Sequence, residues 1–132
     1  MNKIIYPSVE KVIEINILVL NLIPVKKKDQ PKVLNAESLR ILIKGCISLD
    51  GDIHDKATFL LKEITKKHPF ASGNRRTAFM VTKDFLEDNG YAFQIQNDPS
   101  QARILLGVRE GFYSTEEIKE WLKHGKIKPF ER

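Results

Sequence analysis

The sequence predicts an all-α fold of about six helices, and three observations carry that prediction. Apolar residues recur at i, i+3, i+4 and i+7 in successive windows, the spacing that lines one face of a helix. Capping chemistry and glycine stops separate those windows. Only Tyr91–Ile95 has strand character, which leaves room for no more than a minor short hairpin.

The first helix is expected from about Ser8 to Ile23, after Pro7. It is apolar on nearly every side (Val9, Val12, Ile13, Ile15, Leu18, Val19, Leu22), as a central buried helix would be, although its β-branched residues would also suit a strand. Val25–Lys32 then turns polar, with Lys26-Lys27-Lys28-Asp29 and Pro31, and reads as a solvated loop. Asn35 is the expected N-cap of a second helix, with Leu39, Leu42, Ile43, Cys46 and Ile47 as its apolar stripe. Asp50-Gly51-Asp52 is a turn with capping chemistry. A third helix follows, with Ala57, Leu60, Leu61 and Ile64 inward, running to about Lys67. Pro69 disfavours helix at His68 and predicts an extended residue there. A fourth helix starts near Arg75, presents Ala78, Val81, Thr82, Phe85 and Leu86, and stops at Asn89-Gly90. In Asp98-Pro99-Ser100-Gln101 an N-cap, a proline at the first position and a glutamine at the third open a fifth helix, stopped by Gly111. Ser114-Thr115-Glu116-Glu117 opens a sixth as a capping box, with Ile118, Trp121 and Leu122 inward and Gly125 at its end.

The 132-residue chain is 42% hydrophobic and 30% charged, a globular balance, and its length suits one domain over residues 1–132. The net charge of +5 suits an anionic ligand without demanding nucleic acid. The lone Cys46 cannot form an internal disulfide, and on its apolar stripe it reads as core. No secretory pattern marks the ends, and the apolar run Val12–Ile23 is too short and too interrupted to span a bilayer, so a soluble cytoplasmic protein is expected, with no membrane partner. Three scattered histidines and one cysteine offer no zinc-ligand spacing, and His54 and His124 read as surface or capping residues.

One stretch carries chemistry: His68-Pro69-Phe70-Ala71-Ser72-Gly73-Asn74-Arg75-Arg76-Thr77-Ala78. It places a histidine at a helix end, a Gly-Asn loop, and two arginines on the first turn of the next helix. Unpaired N–H groups and the positive end of the helix dipole meet there. Glycine lets the backbone close around an anion, and arginine adds a planar donor fork, so the stretch describes a phosphate cradle. A neighbouring histidine is suited to take a proton from an attacking hydroxyl. The combination points to transfer of a phosphorus-containing group.

His68-Pro69-Phe70, Gly73-Asn74 and Arg76 resemble the signature of the Fic/Doc family, which reads His-Pro-Phe, any residue, an acid, Gly-Asn, Gly or Lys, Arg. Thr77-Ala78, Phe85-Leu86 and Asn89-Gly90-Tyr91 resemble its Doc (death-on-curing) branch, so that the likeness covers about Ile53–Tyr91. The resemblance implies a compact helical bundle that modifies a hydroxyl side chain of a target protein, using ATP or another nucleoside triphosphate. His68 would be the general base. Gly73, Asn74 and Arg76 would hold nucleotide phosphates, and Phe70, with Pro69, would anchor the loop. Members with glycine after the asparagine mostly transfer AMP, whereas the Doc branch has lysine there and resembles a protein kinase. Arg75 keeps that positive charge and leans toward phosphoryl transfer, though its fork would meet the phosphates differently.

Ser72 stands where the family has an acid that holds Mg²⁺, and a serine hydroxyl is a weak, neutral ligand. Three readings stay open: the metal is held by nucleotide and water, a carboxylate from elsewhere (Asp52 or Asp55) substitutes, or catalysis is weakened, leaving a nucleotide- or partner-binding module. The family's inhibitory pattern (Ser or Thr, three residues, Glu) is not matched, since Ser8 has Val12 and Ser114 has Ile118 at the glutamate position. Restraint would then come from a separate partner, an antitoxin segment in Doc-like systems. An exposed part of Val12–Leu22 would offer a homodimer face. The rival reading is a basic patch for nucleic acid, formed by Lys62, Lys66, Lys67, Arg75 and Arg76; it is disfavoured because no aromatics interleave the cations. A helix-turn-helix around Arg103, Arg109 and Lys119 is disfavoured too, because any two short crossing helices would look the same.

Overall fold

The computed structural model describes residues 3–22, 32–96 and 99–131. Six helices occur among the described residues: α1 (Val9–Leu22), α2 (Ala36–Ser48), α3 (Ile53–Lys67), α4 (Asn74–Asp88), α5 (Pro99–Arg109) and α6 (Thr115–His124). Residues 91–95 are coil, and among the described residues no strand or hairpin forms; an isolated bridge pairs Val33 with Phe70. The protein is all-α, as its periodicity predicts.

Local capping sets the helix starts. Asn35 Oδ1 accepts from Ser38 N at 2.9 Å to open α2. Asp52 and Asp55 form a reciprocal capping box at α3, and Ser114 and Glu117 form another at α6. The N-cap expected at Asp98 and most of the loop expected at 25–32 lie outside the described residues.

The centre of the bundle is α3, which packs against α2, α4, α5 and α6 and shares its most extensive contact with α4. Ala57, Leu60, Leu61 and Ile64 are fully buried. The expected centre, α1, is instead peripheral: it touches α4 and α2, buries Val12, Ile15, Asn16 and Val19, and leaves Ile17, Leu18 and Leu22 exposed. A largely apolar sequence did not identify the most enclosed helix, because α3 also buries polar groups whose bonds are satisfied locally. Thr58 Oγ1 donates to His54 O at 2.7 Å. Lys56 Nζ donates to the carbonyls of Cys46, Ile47 and Leu49 at 2.9, 3.2 and 2.7 Å, closing the end of α2. Cys46 is core, and burial pushes its thiol up to about 11. Ile47, expected on the same stripe, is half exposed, and His54, expected to be a surface or capping residue, is buried edge-on against Tyr91 while Asp52 caps the helix. No helix among the described residues is long and apolar enough to cross a membrane.

The C-terminal segment fastens α5. Arg103 Nε donates to Phe130 O at 3.1 Å, and Tyr113 Oη donates to Lys128 O at 2.8 Å. These bonds employ Arg103 structurally, and Lys119 is likewise committed, to Asp55 and Asp52 at 2.8 and 3.2 Å.

Candidate active site

The motif occupies the turn between α3 and α4, and its backbone is tied down from three directions. His68 ends α3 in the left-handed region (φ 54°, ψ 55°), where an extended residue was expected before Pro69. The left-handed residue turns the chain sharply off the axis of α3, at a cost of about 1–2 kcal/mol for a side chain with a Cβ. Such cost is tolerated where the surroundings over-determine the conformation, often at functional sites. Here those surroundings are explicit. Pro69 O accepts from Leu34 N and Asn35 N at 2.8 and 3.3 Å, and Ala71 N donates to Lys32 O at 3.0 Å. Phe70 is fully buried.

Asn74 closes the loop from within: its Oδ1 accepts from Phe70 N at 3.0 Å and its Nδ2 donates to Phe70 O at 2.9 Å. The asparagine amide thus braces the turn, and its main-chain N–H, at the start of α4, is what it can turn to an anion. Asn16 ties the loop to α1. Its Nδ2 donates to Ser72 O at 2.9 Å and to Thr77 Oγ1 at 3.1 Å, although the residue is 1% exposed. Gly73 is the N-cap of α4 in the left-handed region (φ 77°) and provides no side-chain cap. A Cβ there would lie 3.2 Å from Leu20 Cδ2 and 3.4 Å from Asn16 Nδ2, so glycine also permits the close approach of α1.

A cavity of about 440 Å³ opens over this turn. His68, Ser72, Gly73, Asn74, Arg75 and Arg76 all line it, so the structure brings the polar motif residues to one place; Pro69 and Phe70 lie buried beneath. His68 is an exposed residue and not part of the buried core. The far wall is α5, which adds Gln101, Leu105 and Arg109, while α3 adds Thr65. Arg75, Arg76 and Arg109 form no ion pair among the described residues, and no carboxylate is among the lining residues described. Such a concave, positively charged surface with free helix amides suits a polyanion.

Four residues that line this cavity or brace its turn were not assigned to the site from sequence. Thr65 sits three residues before His68 and so shares its helix face, a signal that was available. Asn16 is a polar residue between the buried Ile15 and Val19, a second usable signal. Gln101 was read only as a helix-opening residue, and Arg109 has no local signature at all; packing of α5 on α3 and α4 brings both here. Conversely, the lysines grouped with Arg75 and Arg76 in sequence do not line the cavity: Lys62 Nζ donates to Thr115 Oγ1 at 2.7 Å, and Lys66 and Lys67 are exposed. Asp52 and Asp55, named as substitute metal ligands, sit at the opposite end of the 15-residue α3, about 20 Å away at ~1.5 Å per residue. Both are held by the capping box and Lys119.

No curated protein matches the chain. The model of the Fic/DOC family matches residues 8–86, from the start of α1 to near the end of α4, and includes the whole turn just described. With more than half of its length in that match, the chain belongs to the Fic/DOC family.

Proposed function

We propose that the protein transfers a phosphoryl or nucleotidyl group from a nucleoside triphosphate, ATP in the simplest case, to a hydroxyl side chain of a target protein. Family membership supports group transfer to proteins in general. The observation that carries the finer reading is that His68, the amide-bearing start of α4 and Arg75 and Arg76 all line one cavity. His68 takes the proton from the target hydroxyl as its oxygen attacks phosphorus. Main-chain N–H groups at Asn74 and Arg75, with the two guanidinium groups, hold the phosphates and stabilise charge developing on their oxygens. Attack at the γ-phosphorus releases a nucleoside diphosphate; attack at the α-phosphorus releases pyrophosphate. The cation at Arg75, in the position after Gly73-Asn74, favours the first.

Mg²⁺, which the family's motif acid holds, does not suit the donors present. Ser72 is neutral, the described lining residues include no carboxylate, and no group of three or more His, Cys, Asp or Glu side chains able to hold a metal occurs among the described residues. That same deficit favours a second reading, a nucleotide-binding module that no longer transfers. Restraint of an active form is assigned to a separate antitoxin-like partner.

ATP labelled at either the γ or the α position, incubated with the protein and a host lysate, separates these readings. Label from the γ position on a protein supports phosphoryl transfer, and label from the α position supports AMP transfer. No label with nucleotide still bound supports the module. In an active protein, His68→Ala should abolish transfer and leave nucleotide affinity nearly unchanged, because a general base acts in the transition state. An equal loss of affinity would make His68 a binding residue and refute its assigned role.

A further inference from the structure

We infer that Arg109, carried by α5, joins Arg75 and Arg76 in a cation set that binds the polyphosphate of the nucleotide without a divalent metal; this rests on the nucleotide reading above. Three arginines from two helices line one cavity of about 440 Å³, and none is neutralised by an ion pair among the described residues. Positive charges converging on one cleft repel each other and raise its affinity for a polyanion. A second observation points to a ligand independently. Thr65, only 2% exposed, lines the same cavity, and its buried hydroxyl has no hydrogen-bond partner among the described residues. A buried hydroxyl is seldom left unpaired, and a phosphate or ribose oxygen entering the cavity would satisfy it.

The same donors argue against a metal. A dication entering a cleft lined by three arginines, with Ser72 where a carboxylate would be needed, meets repulsion and no anionic protein ligand. Mg²⁺ bound to the phosphates would also cancel part of the negative charge the arginines attract. Metal-free nucleotide is therefore the better ligand, and Arg109 supplies charge that a cation would otherwise bring.

Titration calorimetry of the full chain with ATP and with inorganic triphosphate, in EDTA and in excess Mg²⁺ at matched ionic strength, tests this. Both ligands should bind in EDTA at least as tightly as with Mg²⁺. Arg109→Ala should weaken both about tenfold, the loss expected for a charge-assisted hydrogen bond. Arg109→Lys should recover part of that loss, and Lys44→Ala, an exposed charge on α2 away from the cavity, should change little. Binding that requires Mg²⁺ would overturn the inference while leaving the nucleotide reading intact. Equal losses for Arg109→Ala and Lys44→Ala would reduce the effect to net charge and overturn it too. Absence of binding under both conditions would remove the nucleotide reading as well.

Discussion

Asn16 is the residue through which α1 holds the turn between α3 and α4 by hydrogen bonds, and replacing it tests whether that turn is built as described. Asn16→Ala deletes the donor to Ser72 O at 2.9 Å and to Thr77 Oγ1 at 3.1 Å, and it strands a threonine that is 0% exposed. Each bond contributes about 1 kcal/mol net, and leaving a buried partner unsatisfied costs further, so a loss of about 2–3 kcal/mol is expected. For a chain of this size that is a fall in Tm of roughly 8–12 °C. Asn16→Asp should cost more at neutral pH, since it sets a buried carboxylate against the Ser72 carbonyl and keeps only the threonine hydroxyl as a donor. Denaturant titration with Tm measured in parallel gives both values. Affinity for triphosphate should fall in both variants, although Asn16 does not line the cavity. A loss below about 0.5 kcal/mol for the alanine variant, the range of an ordinary surface change, would refute the bracing role.

Three further outcomes follow from the structure. Gly73→Ala should destabilise more than Gly111→Ala: both have left-handed φ, but a Cβ at Gly73 crowds Leu20 and Asn16 whereas at Gly111 nothing lies within 4 Å. Equal unfolding free energies would show that the approach of α1 is not tight. Lys56→Met should cost about 2–3 kcal/mol, because the apolar stem is kept while three carbonyls at the end of α2 lose their charged donor; an unchanged denaturation midpoint would contradict this. Burial, against the attraction of Asp52, holds the His54 imidazole below its usual 6.5. The unfolded chain therefore takes up a proton there before the folded chain does, so that this part of the stability is complete above 6.5 and is lost as pH falls below it. His54→Phe keeps an aromatic ring against Tyr91 and removes that dependence, so its Tm should decline less than the wild type's between neutral pH and the carboxylate range. Parallel curves would show that His54 does not titrate differently on folding.

What was legible in the sequence is the chemistry that acts over one helical turn. Asn35, Asp52 and Ser114 cap helices where their spacing to Ser38, Asp55 and Glu117 says they should, and the turn from α3 into α4 follows from Gly73 and the residues around it. Properties settled by packing were not legible. The apolar α1 looked central, yet α3 is enclosed because Lys56 and Thr58 find carbonyl partners that hydropathy does not register. Pro69 argued for an extended His68, but the loop's bonds to Lys32, Leu34 and Asn35 hold a left-handed turn there. The motif half of the cavity could be read from consecutive residues. Arg109 and Gln101, more than 20 positions later, could not, since only the docking of α5 brings them in.

The most direct measurement is the structure of the protein with a non-hydrolysable ATP analogue bound. The phosphates should rest within hydrogen-bond distance of the Asn74 and Arg75 main-chain N–H groups, with Arg76 alongside and the His68 ring on the same side of the cavity. An analogue bound elsewhere, or one whose base rather than its phosphates meets the start of α4, would contradict the account.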